Sequence, residues 1–298
     1  MALSEDRSAA PTGPRFMLAH DQFGSSGLDG GRLVVMEVAT GQVTQEVTRP
    51  PGVLMFEGLT SAADNRTFYF DGTTEAGGAG RLFRVRIDDQ GRVAAMAPVP
   101  GITPYGGDLA LSPDGTRLAY ADPRLGQIVV TDLTNGRHQG WLRMDFAAAD
   151  GMSWSADGRK LAFTWETGDD SSPDDGVRVL DTAHTGDPLA LSRLVIPAEP
   201  YDPGRSLVHA VISADGTAVQ AVMTTGEETR VSEFSVATGS HVRDLHRATG
   251  RPMTVCRTPA GRHLLIVGKR TVTVLDTLTG GTVEHRYLIS VSLTEAAC

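Results

Sequence analysis

The stretch LALSPDGTRLAYAD at 109–122 returns as MSWSADGRKLAFTW at 152–165. Each copy is an apolar run, a turn built on Asp-Gly and a second apolar run, the pattern of a tight β-hairpin. Asp114-Gly115 and Asp157-Gly158 are the turns of these two copies, and Asp215-Gly216 makes a third. Weaker equivalents stand at Ala260-Gly261, Asp64-Asn65 and Thr12-Gly13. A second series of turns ends at Gly41, Gly91, Gly136, Gly186, Gly239 and Gly280, spaced 41 to 53 residues apart. Two turn series with the same number and order of members constrain the chain to six repeated units.

Each unit reads strand, tight turn, strand, variable loop, strand, tight turn, strand. Four short strands of this kind form a sheet that cannot bury both faces alone, so it must stack on its neighbours. Helical periodicity is absent. The expected fold is therefore all-β, a six-bladed β-propeller with four antiparallel strands per blade. Its expected limits are an N-terminal tail at 1–12 and a single propeller domain at 13–298. Blade one shows its second, third and fourth strands but no obvious first. Residues 289–293, ISVSL, are expected to supply it and close the ring, and LSEDRS at 3–8 is the poorer alternative.

The segments SPDGTRLAY and SADGRKLAF match the S-x-D-G-x-x-L-A-[FY] core of the TolB-type repeat. The units thus resemble those of the TolB-like and WD-type propellers, over residues 13–294 and most closely in blades three and four. The Trp-Asp ending of WD repeats is replaced by Thr or Leu before Asp132, Asp181 and Asp276. The resemblance implies a blade and not an activity, because one fold hosts many functions.

An apolar content of 40% supplies a packed core. No apolar run approaches a membrane span. The net charge of −9 comes without a Lys/Arg cluster, which argues against nucleic acid and anionic lipid as partners. The first residues lack the basic and apolar regions of a secretory leader. A cytoplasmic location is expected if the chain is complete, and an extracytoplasmic one if a leader or anchor has been removed. A monomer is expected. Of the two cysteines, Cys256 is expected as a buried structural thiol and Cys298 as a mobile chain end, with no disulfide framework.

Up-and-down strand order puts the tight turns on one face and the variable second-to-third-strand loops on the other, where function usually resides. Those loops span about 21–31, 71–80, 122–126, 166–176, 224–229 and 268–270 and are acidic, with Asp21, Asp71, Asp122 and Glu166 as loop-face candidates. Such a rim either keeps the protein soluble or attracts a basic partner or a divalent cation. The run ETGDDSSPDDG at 166–176 lacks the ligand offsets of an EF-hand.

A sharper set precedes the first turns by seven or eight residues: Glu57, Asp108, Asp150 and His209. These positions start the inner strands, so their side chains are expected to meet at the mouth of the central channel. Three carboxylates and an imidazole suit ligand binding, a divalent metal on Glu57, Asp108 and Asp150, or acid–base chemistry; a merely wet, polar channel mouth is the plainer alternative. No nucleophile elbow, zinc-protease motif, phosphate loop or paired C-x-x-C occurs. The expected function is a non-catalytic binding or scaffold module that presents its acidic loop face to a protein or small ligand and needs no cofactor. The alternative is a metal-dependent hydrolase, lactonase or lyase acting at the channel mouth.

Overall fold

Side chains as well as backbone build the first tight turn of blade three. Ser112 Oγ donates to Asp114 Oδ1, which also accepts from the Thr116 amide, while Ser112 Oγ accepts from the Arg117 amide. Gly115 takes φ +72° there, a conformation that costs an L side chain but not glycine. Ser155 and Asp157 repeat the arrangement in blade four, and Ser213 and Asp215 repeat it in blade five. The second turn has its own aspartate: Asp132 accepts from the Thr134 amide, and Asp276 from the amides of Leu278 and Thr279. The recurring Ser-x-Asp-Gly of the first turns and the aspartate that opens the second turns thus make local hydrogen bonds that fold each hairpin back on itself.

The computed structural model describes residues 13–21, 31–74, 80–104, 107–122, 126–142, 148–167, 172–198, 205–259, 261–287 and 293–298. They form six four-stranded antiparallel sheets and one short helix, Pro188–Leu191, ahead of the outer strand of blade four. The fold is an all-β six-bladed propeller. The expected tail at 1–12 lies outside the described residues.

Apolar faces meet between neighbouring blades. Trp141, Trp154, Phe163 and Trp165 fill the space between blades three and four, and Phe16, Phe68, Phe70 and Phe83 that between blades one and two. Each such side chain contributes roughly 1.5–3 kcal/mol by leaving water. Inner strands are also tied across the blade boundaries. Trp154 Nε1 donates to Ala110 O at 2.9 Å, and the Ile212 amide donates to Ser153 Oγ at 2.9 Å.

At the ring closure the strand that completes blade one is C-terminal, as expected, and is described at Leu293–Ala297; it shares Leu293 with the expected 289–293, whose other residues lie outside the described ones. It pairs antiparallel with Phe16–Asp21, Leu18 facing Ala297 and His20 facing Glu295. Buried Leu293, Ala296 and Ala297 supply the apolar face that makes this register the favourable one. Cys298, moreover, is not a mobile end: it is buried and disulfide-bonded to Cys256 on the inner strand of blade six, with 5.9 Å between Cα atoms. The bond joins the last blade to the first. Sequence separation hid it, because only ring closure brings these two positions together.

Candidate functional site at the channel mouth

Four inner strands carry β-bulges at their loop-face ends, that of blade one where the pairing shifts between His20 and Asp21. Pairing is interrupted between Phe56 and Leu59 in blade two, between Asp150 and Ser153 in blade four, and between Leu207 and His209 in blade five. A bulge twists the strand and re-aims the side chains around it. Glu57, Asp150 and His209 stand in or beside the bulges of blades two, four and five. Gly151 allows the bulge in blade four, at φ +61°. Its amide donates to Asp108 Oδ2, a bond that ties blade four to blade three.

The inner strands enclose a cavity of about 430 Å³ lined by Asp108, Asp150, Glu166, His209 and Glu295 among others. A Cβ added at Gly151 would lie 3.8 Å from His209 Nδ1, so the imidazole of blade five abuts the bulge of blade four. Glu295 enters from the closing strand, and its Oε1 accepts from the Leu59 amide at 2.6 Å. One oxygen of Glu57, Oε2, is buried and has no hydrogen-bond partner among the described residues.

Crowded acids raise one another. Burial, and then the charges of Asp108, Glu57 and Asp71, push the Glu295 carboxyl up to about 8, although the Leu59 amide pulls the other way. Burial followed by Asp108 and Glu166 raises Asp150, and burial alone raises Glu57. His209 is lowered, because burial outweighs the attraction of Asp108. It is neutral at pH 7 and supplies no compensating charge.

Asp108, Asp150 and His209 therefore line one cavity, and Glu57 is close enough to act on Glu295. Among the described residues, no three His, Cys, Asp or Glu side chains come together closely enough to hold a metal ion. The loop-face set lies differently from expectation, because the second strands run further than their turn residues suggested. Asp21 and Asp122 are the last residues of strands Phe16–Asp21 and Arg117–Asp122, and both are buried. Asp71 sits inside Thr67–Thr73 and is fully buried. Glu166 ends Lys160–Glu166 and is the exposed member, close enough to Asp150 to raise it. Asp21 is further committed to Arg32, whose Nε and Nη2 reach Oδ2 at 2.9 and 2.7 Å.

Glu295 was missed in the sequence. Its inner strand has no tight turn of its own after it, so counting back from a turn passes it by.

The fold is that of a six-bladed β-propeller with an acid-lined channel mouth. No family model matches the sequence, and no curated protein matches it. Solved structures do share the fold. TolB from Acinetobacter baumannii is 14% identical with a TM-score of 0.63, over 96% of this chain and 67% of that one. A chain of the nidogen/laminin complex is 12% identical with a TM-score of 0.62, over 95% and 97%. The periplasmic gluconolactonase PpgL of Pseudomonas aeruginosa is 17% identical with a TM-score of 0.54, over 93% and 97%. Such similarity speaks to architecture, and these neighbours in shape include a member of a protein complex as well as a gluconolactonase.

Proposed function

We propose that the chain is a binding propeller whose channel mouth receives a cationic group, an ammonium or guanidinium carried by a protein side chain or a small molecule. The observation that carries this reading is the gathering of Asp108, Asp150, Glu166 and Glu295 around one cavity. At that end no lysine or arginine stands among the described lining residues; Arg257, at the far end, is the one cation of the lining. Like charges held together repel, and a bound cation relieves the repulsion.

The test is calorimetric titration of n-hexylammonium, a plain amine. It binds the parent protein, binds more tightly as pH rises through about 8 and Glu295 ionises, and weakens about tenfold, or ~1.4 kcal/mol, in Asp108→Asn and Asp150→Asn. Absence of binding between pH 6 and 9 ends this reading. Tight, stoichiometric uptake of a divalent metal would favour the hydrolase, lactonase or lyase alternative.

The disulfide bears on location. Disulfides persist in oxidising compartments and are rare in the cytosol, so the Cys256–Cys298 bond supports an extracytoplasmic working site.

A further inference from the structure

Long basic side chains stitch blades three, four and five together at the tight-turn face. Arg117 opens the second strand of blade three and donates through Nη2 to Gly158 O, in the turn of blade four, at 2.7 Å. Lys160 holds the same place in blade four and donates through Nζ to Gly216 O, in the turn of blade five, at 2.8 Å. Blade two has Thr67 there. Its side chain is too short to span the gap, and its hydroxyl is committed to Asp64 Oδ2 of its own turn at 2.8 Å. Gly115, in the facing turn of blade three, accordingly has nothing within 4 Å of the place a Cβ would take. A cavity of about 410 Å³ is left between blades two and three.

Two arginines line it, Arg84 and Arg86. The strand registers put Thr67, Arg86 and Ala95 in one cross-strand row and Tyr69, Arg84 and Ala97 in another on the same face of blade two. Where Arg84 stands, blades one, three, four and six carry buried Val35, Val130, Val179 and Val274. Blade five has Glu233, which Arg243 pairs at 3.2 Å. Where Arg86 stands, the first four of these blades carry Glu37, Asp132, Asp181 and Asp276. Blade two moves its turn aspartate to Asp88, which accepts from the amides of Gln90 and Arg92. Two cations thus occupy the places of a valine and an acid. Both are exposed, and neither forms an ion pair among the described residues. Arg86 acts at a distance on Asp64, whose oxygens are already taken by the amides of Arg66 and Thr67 and the Thr67 hydroxyl. Ala95 and Ala97 across from the arginines leave the space beside them open.

Leu111, Ala62 and the ring of Tyr69 give the gap an apolar floor. Burial holds the Tyr69 phenol above its ordinary value, against the pull of Arg84 beside it, so the hydroxyl is a neutral donor at pH 7. We propose that this gap binds a small organic anion, its carboxylate on the guanidinium groups of Arg84 and Arg86 and its apolar body on Leu111 and Tyr69. A planar carboxylate matches the guanidinium fork in shape and charge. The two cations also stand out on a chain of net charge −9, where an anion finds few other places to settle. The volume is in the range of small-molecule sites. Leu111 lines the channel cavity as well, but no other described residue lines both, so the site is separate from the channel mouth and does not rest on the function proposed above.

The probes are phenylacetate, its neutral counterpart phenylacetamide and inorganic phosphate, each titrated calorimetrically at pH 7. The proteins are the parent, Arg84→Gln, Arg86→Gln, Ala97→Phe and Arg137→Gln, all altered at exposed positions. The parent is expected to bind phenylacetate at least about tenfold more tightly than phenylacetamide or phosphate, and Arg84→Gln and Arg86→Gln each to weaken it about tenfold. Ala97→Phe keeps both charges but fills the gap, so it abolishes binding. Arg137→Gln removes an exposed arginine that does not line the gap and changes nothing. Equal binding of phenylacetate and phenylacetamide overturns the proposal, as does phenylacetate binding that survives Ala97→Phe, because the arginines are then an ordinary charged surface. A loss in Arg137→Gln as large as in Arg84→Gln overturns it too. Phosphate binding as tight as that of phenylacetate, or no phenylacetate binding up to about 10 mM, has the same effect.

Discussion

Glu295 keeps its proton to about pH 8, against an ordinary 4.5. Between those two values the folded protein holds more protons than the unfolded chain. Stability therefore falls as pH rises through this window and levels off above it. Glu295→Gln keeps the acceptor for the Leu59 amide and removes the charge. We expect it to flatten the decline and to raise the melting temperature at pH 8 to 9, by about 2–4 °C for each kcal/mol recovered. Thermal melts from pH 5 to 9 check this, and an unchanged slope would mean that Glu295 ionises normally. Asp150→Asn is expected to act in the same direction, because Asp150 is also raised by burial and by its acidic neighbours. Asp244 contrasts with both. It is held well below the usual carboxylate range by hydrogen bonds from Arg247, His241 and Ser232, so its stabilisation is complete at neutral pH and is lost as pH falls below the ordinary 3.8. Position among charges, and not residue type, separates a tense carboxylate from a settled one.

At the scale of single elements, the hairpin turns carry the repeat. Gly115 has φ +72° and open space around the position a Cβ would take, so a substitution there meets backbone strain alone. Gly115→Val is expected to cost about 1–3 kcal/mol and Gly115→Asn less, read from denaturant unfolding. An unaltered midpoint would mean the turn tolerates a β-branched residue. These turns were legible in the sequence because Ser, Asp, Thr and Gly act locally, each bonding a residue two to five positions away. Blade count and strand order followed from them. The bulges were not legible. An extra residue in one strand leaves no mark in the alternation of apolar positions, yet bulges aim Glu57, Asp150 and His209. Asp71 was expected on the variable loop at 71–80, whereas here Asp71 and Gly72 lie inside a strand. The Cys256–Cys298 bond was out of reach for a different reason, since it depends on the global closure.

Closure is the property of the whole molecule, and three contacts converge on it. The strand Leu293–Ala297 covers the edge of Phe16–Asp21, the disulfide anchors its end to blade six, and Glu295 reaches from it to the Leu59 amide in blade two. Cutting the disulfide leaves the strand in place but frees the ring to open in the unfolded chain. For a sequence separation of 42 the entropic loss is about 4 kcal/mol, so Cys298→Ser should lower stability by up to that amount while the native fold persists. Deleting 293–298 does more: it bares an open strand edge and the apolar face beneath it, a template for association with other chains. The deletion is expected to aggregate on mild heating, whereas Cys298→Ser stays soluble. It also removes Glu295, so any soluble deleted protein should lose the decline in stability between pH 4.5 and about 8 that the serine variant retains. Light scattering and pH-dependent melts on the two variants separate the covalent contribution from that of the strand. If the two behave alike, the disulfide alone holds the ring and the strand pairing contributes little.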